Sequence, residues 1–243
     1  MFKANMVVSA CFLNFAKNVM STIKENIANF KSKLPDHVKL VAVSKTKPAD
    51  DILEAYHTGH LIFGENKAQE LKDKQPELPE DIQWHFIGHM QTNKVKYIAP
   101  FVAMIHSVDR FKVLKEINKQ AKKHERIIPC LLQFHIAEED TKFGFDLEEV
   151  KSMLESEAYK NLENIRLDGV MAMATFTEDM EQVRREFKQL KHYFDRLKSD
   201  YFADEPYFKE VSMGMTNDYQ IAIDEGSTMV RIGSAIFGAR KYS

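Results

Sequence analysis

The sequence alternates short apolar runs with amphipathic stretches, and this alternation constrains the fold more than any other feature. The apolar runs predict eight strands, at 38–44, 61–64, 83–87, 103–107, 127–134, 167–173, 208–212 and 229–232. Stretches with helical spacing lie around them, at 13–33, 49–57, 67–74, 91–98, 110–124, 146–157, 178–198 and 217–225. Strands that alternate with helices in this way favour a parallel sheet.

Eight strands with intervening helices fit an α/β fold of the (β/α)8 TIM barrel type, which needs about 250 residues. An open, doubly wound sheet is the alternative, but the GxGxxG turn that usually follows its first strand is missing. We therefore expect one barrel domain over residues 13–243 that begins with a helix, preceded by an N-terminal extension, residues 1–12. Asp109 and Asp146 stand where they could cap the helices that follow them.

Composition excludes several classes of partner. With 34 Lys and Arg against 36 Asp and Glu, the chain has no basic surplus for nucleic acid. Cys11 and Cys130 have no metal-binding spacing, and so few thiols suit a reducing cytoplasm. The stretch Met6 to Phe15 weakly resembles a signal peptide, but Ser9 and Asn14 interrupt it. No apolar run approaches the roughly 20 residues that span a bilayer, so we expect a cytoplasmic protein without a membrane partner.

Lys45 closes the apolar run Val41-Ala42-Val43-Ser44-Lys45 and would lie at the carboxyl end of the first strand. Active sites of TIM barrels form at that end of the strands. A desolvated amine near other cations loses its proton more easily and becomes a nucleophile toward aldehydes. The alternative is a lysine that simply extends to water, which the residue by itself does not exclude.

Two segments near the C-terminus favour a phosphate site. Ser212-Met213-Gly214 follows the seventh strand and Gly233-Ser234 follows the eighth, where barrels of this type commonly bind phosphate. The missing side chain of Gly214 would let a ligand approach the backbone, and free N–H groups at the start of the final helix would bind a dianion. Ordinary strand-to-helix turns also contain Gly and Ser, but the two segments together favour phosphate.

A phosphate site opposite a strand-end lysine suggests pyridoxal 5′-phosphate (PLP), whose aldehyde would join Lys45 as a Schiff base. Arg231 would then lie beside the pyridine nitrogen and, as a permanent cation, keep that nitrogen unprotonated. The ring would be a weaker electron sink than one paired with a carboxylate. Alternatively, Arg231 forms an ion pair at the barrel mouth with Glu65, Asp218 or another acid.

Five segments, VAVSKTKP, FGEN, WHFIGHMQTNK, VSMGMTND and MVRIGSAIFGAR, closely resemble the pyridoxal phosphate homeostasis proteins, relatives of the N-terminal barrel of alanine racemase. The resemblance extends over about residues 13–241. It implies that Lys45 carries the cofactor, that Ser212 and Gly233-Ser234 hold its phosphate, and that Arg231 contacts the ring nitrogen. It also implies that Asn66 and His85 line the cofactor pocket.

The resemblance further implies a carrier or regulator of the PLP pool in vitamin B6 homeostasis, with PLP-dependent apo-enzymes as recipients. We expect a monomer. The main alternative is an amino-acid racemase, which needs a second base opposite Lys45. Tyr219 is the only tyrosine close to a predicted site loop, and we expect it to pack instead. A third possibility is a phosphate-binding barrel without pyridoxal. His85 and His89 have a spacing seen in metal sites, but no third ligand is placed beside them.

Overall fold

The structure is a computed structural model that describes residues 22–138 and 143–239. Eight parallel strands close into a barrel in chain order, and β8 pairs with β1. The strands are β1 Lys39–Val43, β2 Ile62–Glu65, β3 Gln83–Phe86, β4 Met104–Val108, β5 Ile128–Gln133, β6 Ile165–Met171, β7 Glu210–Ser212 and β8 Met229–Ile232. The predicted barrel and its eight strands are confirmed. The predicted extension 1–12 and the start of the predicted first helix lie outside the described residues.

One helix precedes β1, and the others follow the strands around the outside. They are α1 Ile23–Lys33, α2 Ala49–Tyr56, α3 Ala68–Lys74, α4 Val95–Ile98, α5 Phe111–Lys123, α6 Leu147–Glu155, α7 Glu157–Lys160, α8 Met180–Tyr201, α9 Tyr219–Asp224 and α10 Ser234–Phe237. The predicted helix 91–98 is a 3-10 turn, Thr92–Lys94, followed by α4. The predicted helix 146–157 ends at Glu155, because Ser156 adopts an extended backbone and caps α7. None of the helices within the described ranges has both the length and the apolar character of a membrane span.

One of the two predicted helix caps is confirmed and the other is wrong. Asp146 caps α6, with its side chain accepting a hydrogen bond from Glu149 N at 2.8 Å. Asp109 does not cap α5, because the helix begins one residue later and Arg110 is its N-cap residue. The Asp109 carboxylate instead lies 2.7 Å from Arg110 Nη1 and 2.9 Å from His89 Nδ1.

Apolar side chains form two layers, because alternate residues of a strand point to opposite faces of the sheet. One set packs between the sheet and the helices and includes Phe63, Trp84 and Phe86. The other fills the barrel interior and consists of Val41, Met104, Leu131, Met171 and Met229. The interior is therefore a packed core, and space for a ligand remains above it, at the carboxyl ends of the strands.

Candidate functional site

A pocket of about 350 Å³ opens at the carboxyl ends of the strands, within the roughly 300–1,000 Å³ of typical small-molecule sites. Of the residues singled out in the sequence, Lys45, Asn66, Arg231, Gly233 and Ser234 line it. They come from the ends of β1, β2 and β8, which barrel closure brings together. The other lining residues are Val43, Lys47, Ile87, Gly88, His89, Met173, Met215, Thr216 and Gly238.

Lys45 lies in a tight turn between β1 and α2. Its neighbour Thr46 has φ 65°, a left-handed conformation that costs a non-glycine residue about 1–2 kcal/mol. Thr46 N donates a hydrogen bond to Glu70 Oε1 at 2.6 Å. A hydrogen bond to a charged group contributes about 1.5–3 kcal/mol, enough to offset the backbone strain. The turn is therefore held in its conformation by a side chain of α3.

A largely buried ammonium lies behind this turn. Lys74 Nζ is 2.8 Å from Glu65 Oε1 and 2.6 Å from Glu70 Oε1, and it donates to the Ser44 carbonyl at 3.0 Å. The Ser44 hydroxyl also donates to Glu65 Oε1, at 2.7 Å. Burial raises the pKa of Glu65, while the nearby Lys74 ammonium acts in the opposite direction. Glu65 therefore forms its ion pair with Lys74. It does not pair with Arg231, which was one of the alternatives from sequence.

Asn66 presents an acceptor that no described residue uses. Its Oδ1 is buried and has no hydrogen-bond partner within residues 22–138 and 143–239. Gly88, at the end of β3, packs against the Asn66 backbone so closely that a Cβ would lie 2.1 Å from Asn66 O. The close contact fixes the backbone that carries the Asn66 amide, whose oxygen could accept a hydrogen bond from a ligand.

Arg231 enters the pocket from inside the barrel and is held by neutral acceptors. Its Nη1 donates to Ser212 O and to Ser212 Oγ, both at 2.7 Å, and its Nη2 donates to Ala172 O at 2.9 Å. Burial lowers the pKa of Arg231 to about 10, so the guanidinium stays charged at neutral pH. Asp218, the other acid considered from sequence, accepts a bond from Met215 N and acts on Arg231 electrostatically.

Two histidines extend this interior network away from the pocket. Ser212 Oγ is 3.0 Å from His106 Nδ1, and His106 Nε2 is 2.9 Å from His85 Nδ1. Burial lowers the pKa of His85 to about 3 and that of His106 well below its ordinary value, so both rings are neutral at neutral pH. Arginine only donates, so the Ser212 hydroxyl can donate to His106, and His106 to His85.

The structure thus separates the predicted site residues into two groups. His85 and Ser212 belong to the buried network and do not line the pocket. His106, which joins them, was not identified from sequence. The signal that could have found it is a histidine in the middle of an apolar strand, where burial requires a polar partner.

The two glycines of the predicted phosphate segments have different surroundings. Gly214 has φ +93°, and a Cβ there would lie 2.6 Å from Ala222 Cβ and 3.0 Å from Tyr219 Cα. It therefore allows α9 to pack closely and is not among the pocket-lining residues. Gly233 does line the pocket and is the N-cap residue of α10. The first amides of a helix have no partner within it, so this helix start presents donors beside the pocket.

Lys47, together with Tyr219 and His89 from the sequence analysis, has defined contacts. Lys47 donates to the Phe237 carbonyl at 2.7 Å, which ties the end of α10 to the Lys45 turn. Tyr219 packs edge-to-face on Phe30, with ring centroids 5.6 Å apart, as expected. His89 pairs with Asp109 and His85 with His106, and the described residues contain no group of three or more His, Cys, Asp or Glu side chains suited to a metal.

Comparison with known proteins agrees with this geometry. Residues 20–241 match the family described as alanine racemase, N-terminal domain. The pyridoxal phosphate homeostasis protein of Aquifex aeolicus (strain VF5) is 40% identical over 205 residues, which cover 84% of this chain and 88% of that protein. The chain belongs to the family of pyridoxal phosphate homeostasis proteins, within the alanine racemase N-terminal domain family. The protein of the same name from Pasteurella multocida (strain Pm70) is 38% identical over 237 residues, 91% of this chain and 99% of that protein.

A solved structure of a relative has the same fold. PipY of Synechococcus elongatus PCC7942, with PLP bound, superposes with a TM-score of 0.81 at 32% identity, covering 89% of this chain and 100% of that chain. The family resemblance read from the five sequence segments is therefore confirmed, together with the barrel fold.

Proposed function

We propose that the pocket binds PLP, with Lys45 as the covalent attachment point, and that the chain acts in intracellular PLP homeostasis. The observation that carries the proposal is that Lys45, Arg231 and the start of α10 line one pocket. The PLP-bound relative PipY and the homologous pyridoxal phosphate homeostasis proteins support it.

The residues present fit this cofactor. Asn66 Oδ1 is a buried acceptor with no partner among the described residues, as expected of an atom that a ligand satisfies. The helix start at Gly233-Ser234 presents N–H donors for a phosphate, and Arg231 presents a cation for a ring nitrogen. Met173 and Ile87 contribute apolar surface to the same pocket.

Each residue has a distinct role in the proposal. When bound, PLP supplies an aldehyde that condenses reversibly with amines. Lys45 Nζ, as the neutral amine, would form the C=N bond with loss of water, and addition of water or another amine would reverse it. Gly233 and Ser234 would hold the phosphate. Arg231, charged at neutral pH, would keep the ring nitrogen unprotonated and so weaken the ring as an electron sink.

Ser212, Gly214 and His85 take a supporting place in this proposal. Ser212 bonds to Arg231 through both its carbonyl and its hydroxyl, and His85 extends that network through His106. Gly214 allows α9 to pack behind the loop that contributes Met215 and Thr216. Direct contact of the Ser212 hydroxyl with the phosphate stays a prediction from the resemblance.

Racemisation is the alternative activity for such a pocket. The tyrosine considered as a second base, Tyr219, packs against Phe30 and does not line the pocket. We therefore favour a carrier. The test follows exchange of the alanine α-proton into deuterated water by the PLP-loaded protein. The carrier account predicts little or no exchange, and turnover at enzyme-like rates would replace it with a racemase.

Cofactor binding and transfer can be measured separately. Incubation with PLP should give a yellow protein whose colour is absent in Lys45→Ala. Transfer to a PLP-dependent apo-enzyme should then continue when a scavenger removes free PLP, if delivery involves direct contact. Transfer that the scavenger abolishes would instead show release into solution.

We further propose one barrel domain over 13–243 after an extension 1–12, in a cytoplasmic monomer.

A further inference from the structure

The backbone around Lys45 is held on both sides by charged groups. Lys74 Nζ donates to the carbonyl of Ser44, the residue before Lys45, at 3.0 Å. Glu70 Oε1 accepts from the amide of Thr46, the residue after Lys45, at 2.6 Å. The two peptide groups that flank the Lys45 Cα are therefore both fixed, and with them the direction in which its side chain leaves the backbone.

One largely buried ammonium joins these two contacts. Lys74 Nζ is hydrogen-bonded to Glu70 Oε1 and also to Glu65 Oε1. The Lys74 side chain is only 12% exposed and that of Glu65 is fully buried, so solvent and salt screen these interactions little. We refer to Glu65, Glu70 and Lys74 as the Lys74 clamp.

The clamp does not line the pocket, so its influence on a ligand would pass through the Lys45 turn. We propose that the Lys74 clamp positions Lys45 for covalent bond formation, and that Lys74 is its central positioning residue. The hold of the clamp on the turn follows from the contacts alone, whereas its effect on covalent bond formation rests on the proposed function.

The charge balance explains why the ammonium is central. Without Lys74, the Ser44 carbonyl loses one of its two donors and keeps Lys47 N. The carboxylates of Glu65 and Glu70 then lack the cation that they share. Like charges in a buried site repel strongly. Glu70 would then move away from the Thr46 amide, and Thr46 would no longer be held at its positive φ. The segment from Ser44 to Lys47 would loosen while the barrel strands keep their pairing.

The first test needs no cofactor and measures amide hydrogen exchange in the segment 44–47. Lys74→Met should accelerate exchange at Thr46 by about tenfold, the effect of losing roughly one hydrogen bond. The matched control is Lys72→Met on the same helix, because Lys72 is exposed and its Nζ lies over the Tyr97 ring at 5.3 Å. A general loss of stability would instead accelerate exchange across all eight strands.

The second test measures how fast PLP becomes attached to Lys45, by borohydride trapping at timed intervals and peptide mass spectrometry. Lys74→Met should slow attachment by about tenfold, and Lys72→Met should leave the rate unchanged. Lys74→Arg keeps the cation and should restore most of the rate. If Lys74→Met does not fold, Glu70→Ala is the second variant, because it removes only the contacts of Glu70 with Thr46 N and Lys74 Nζ. Faster exchange at Thr46 and slower attachment of PLP are expected there too.

The outcomes separate the two proposals. If wild-type protein attaches PLP at Lys45 and Lys74→Met changes neither exchange nor attachment, the clamp is wrong. If hydrogen exchange at Thr46 changes but the rate of PLP attachment does not, the clamp shapes the turn without positioning Lys45. That result would also overturn the proposal. If wild-type protein attaches no PLP at Lys45, the proposed function fails, and so does the part of the inference that depends on it.

Discussion

Two of the basic side chains that line the pocket, Lys45 and Arg231, are supported in opposite ways. The Lys45 turn, at the rim, is held by ionised side chains, Glu70 and the Lys74 ammonium. Arg231, inside the barrel, is held by backbone carbonyls and by the Ser212 hydroxyl. Neutral histidines then extend the interior network, whereas the rim network ends in carboxylates.

This difference follows from the cost of burying charge. Taking an isolated ion out of water is very unfavourable, whereas polar groups that are hydrogen-bonded can be buried at little cost. Inside the barrel, the Arg231 guanidinium is therefore held by neutral carbonyl and hydroxyl dipoles. These groups do not take up or release protons, so the charge around Arg231 does not change with them. The rim, closer to solvent, can hold a cluster of charges that fixes a strained turn. Arg231, the permanent cation, and Lys45, the reactive amine, thus lie in different electrostatic surroundings.

The largest expected effect is on the interior side. Arg231→Met removes the donors for Ser212 O, Ser212 Oγ and Ala172 O. Ser212 O keeps Ala172 N as a donor, and Ser212 Oγ keeps His106 as a partner. Because hydrogen bonds to a charged group contribute about 1.5–3 kcal/mol each, the free energy of unfolding should still fall by about 3 kcal/mol in urea titrations. Arg196→Met, at a half-exposed pair with Asp200, is the control and should change it little. An equal fall in the unfolding free energy of both variants would contradict the distinction between the interior arginine and the surface arginine.

The interior histidines predict a pH dependence of stability. Their folded-state pKa values lie below the ordinary value of about 6.5, so the unfolded chain binds more protons between about pH 6.5 and pH 3. Their stabilising contribution is complete above about pH 6.5 and is lost as pH falls, by up to about 1.4 kcal/mol per pH unit for each group.

His106→Gln should flatten this dependence while keeping a polar bridge between His85 and Ser212. The measurement is the free energy of unfolding at several pH values between about 4 and 7, for wild-type and variant protein. His89→Gln is the control, since His89 is partly exposed beside Asp109. An unchanged pH slope in His106→Gln would show that His106 does not stay neutral in the folded protein.

A smaller effect is expected from Ser212→Ala. The change removes the hydroxyl between Arg231 and His106 but leaves the Ser212 carbonyl on Arg231, so the unfolding free energy should fall by about 1 kcal/mol. Because the hydroxyl faces the interior network, PLP affinity should weaken less than it does in Ser234→Ala. A larger loss of affinity in Ser212→Ala would favour the direct phosphate contact that the sequence resemblance implies.

The smallest effect concerns the strained turn. Glycine adopts positive φ without the cost of a Cβ, so Thr46→Gly should be more stable than Thr46→Ala by about 1 kcal/mol. Relative to wild-type, Thr46→Gly should change the unfolding free energy by less than about 0.5 kcal/mol, since glycine also loses more freedom on folding. Chemical denaturation of the three proteins checks this order. Equal stability of the Gly and Ala variants would argue against strain at Thr46.

The part of the site that is local in sequence could be predicted. Lys45, Gly233 and Ser234 follow strands that their apolar runs identify, and the barrel topology fixes which ends of those strands meet. The clamp could not be predicted in this way. Lys74 and Glu70 read as ordinary charged residues of an exposed helix face, and only the packing of α3 against the β1 turn shows that they are largely buried.

The interior network was hidden for a related reason. His85, His106 and Ser212 come from β3, β4 and β7, and the hydrogen bonds among them depend on side-chain orientations inside a closed barrel. The Asp109 cap was predicted wrongly because the strand before it runs to Val108 and the helix starts only after Arg110. Helix ends depend on such single-residue differences.

The most direct test of the account is to identify the residue that carries PLP. Purified protein is incubated with PLP, reduced with borohydride, digested, and its peptides are mapped by mass spectrometry. One modified residue, Lys45, is expected. In Lys45→Ala that peptide should carry no modification, and Lys47 should not become stably modified in its place. Modification spread over exposed lysines, or a wild-type protein that binds PLP with Lys45 unmodified, would contradict it.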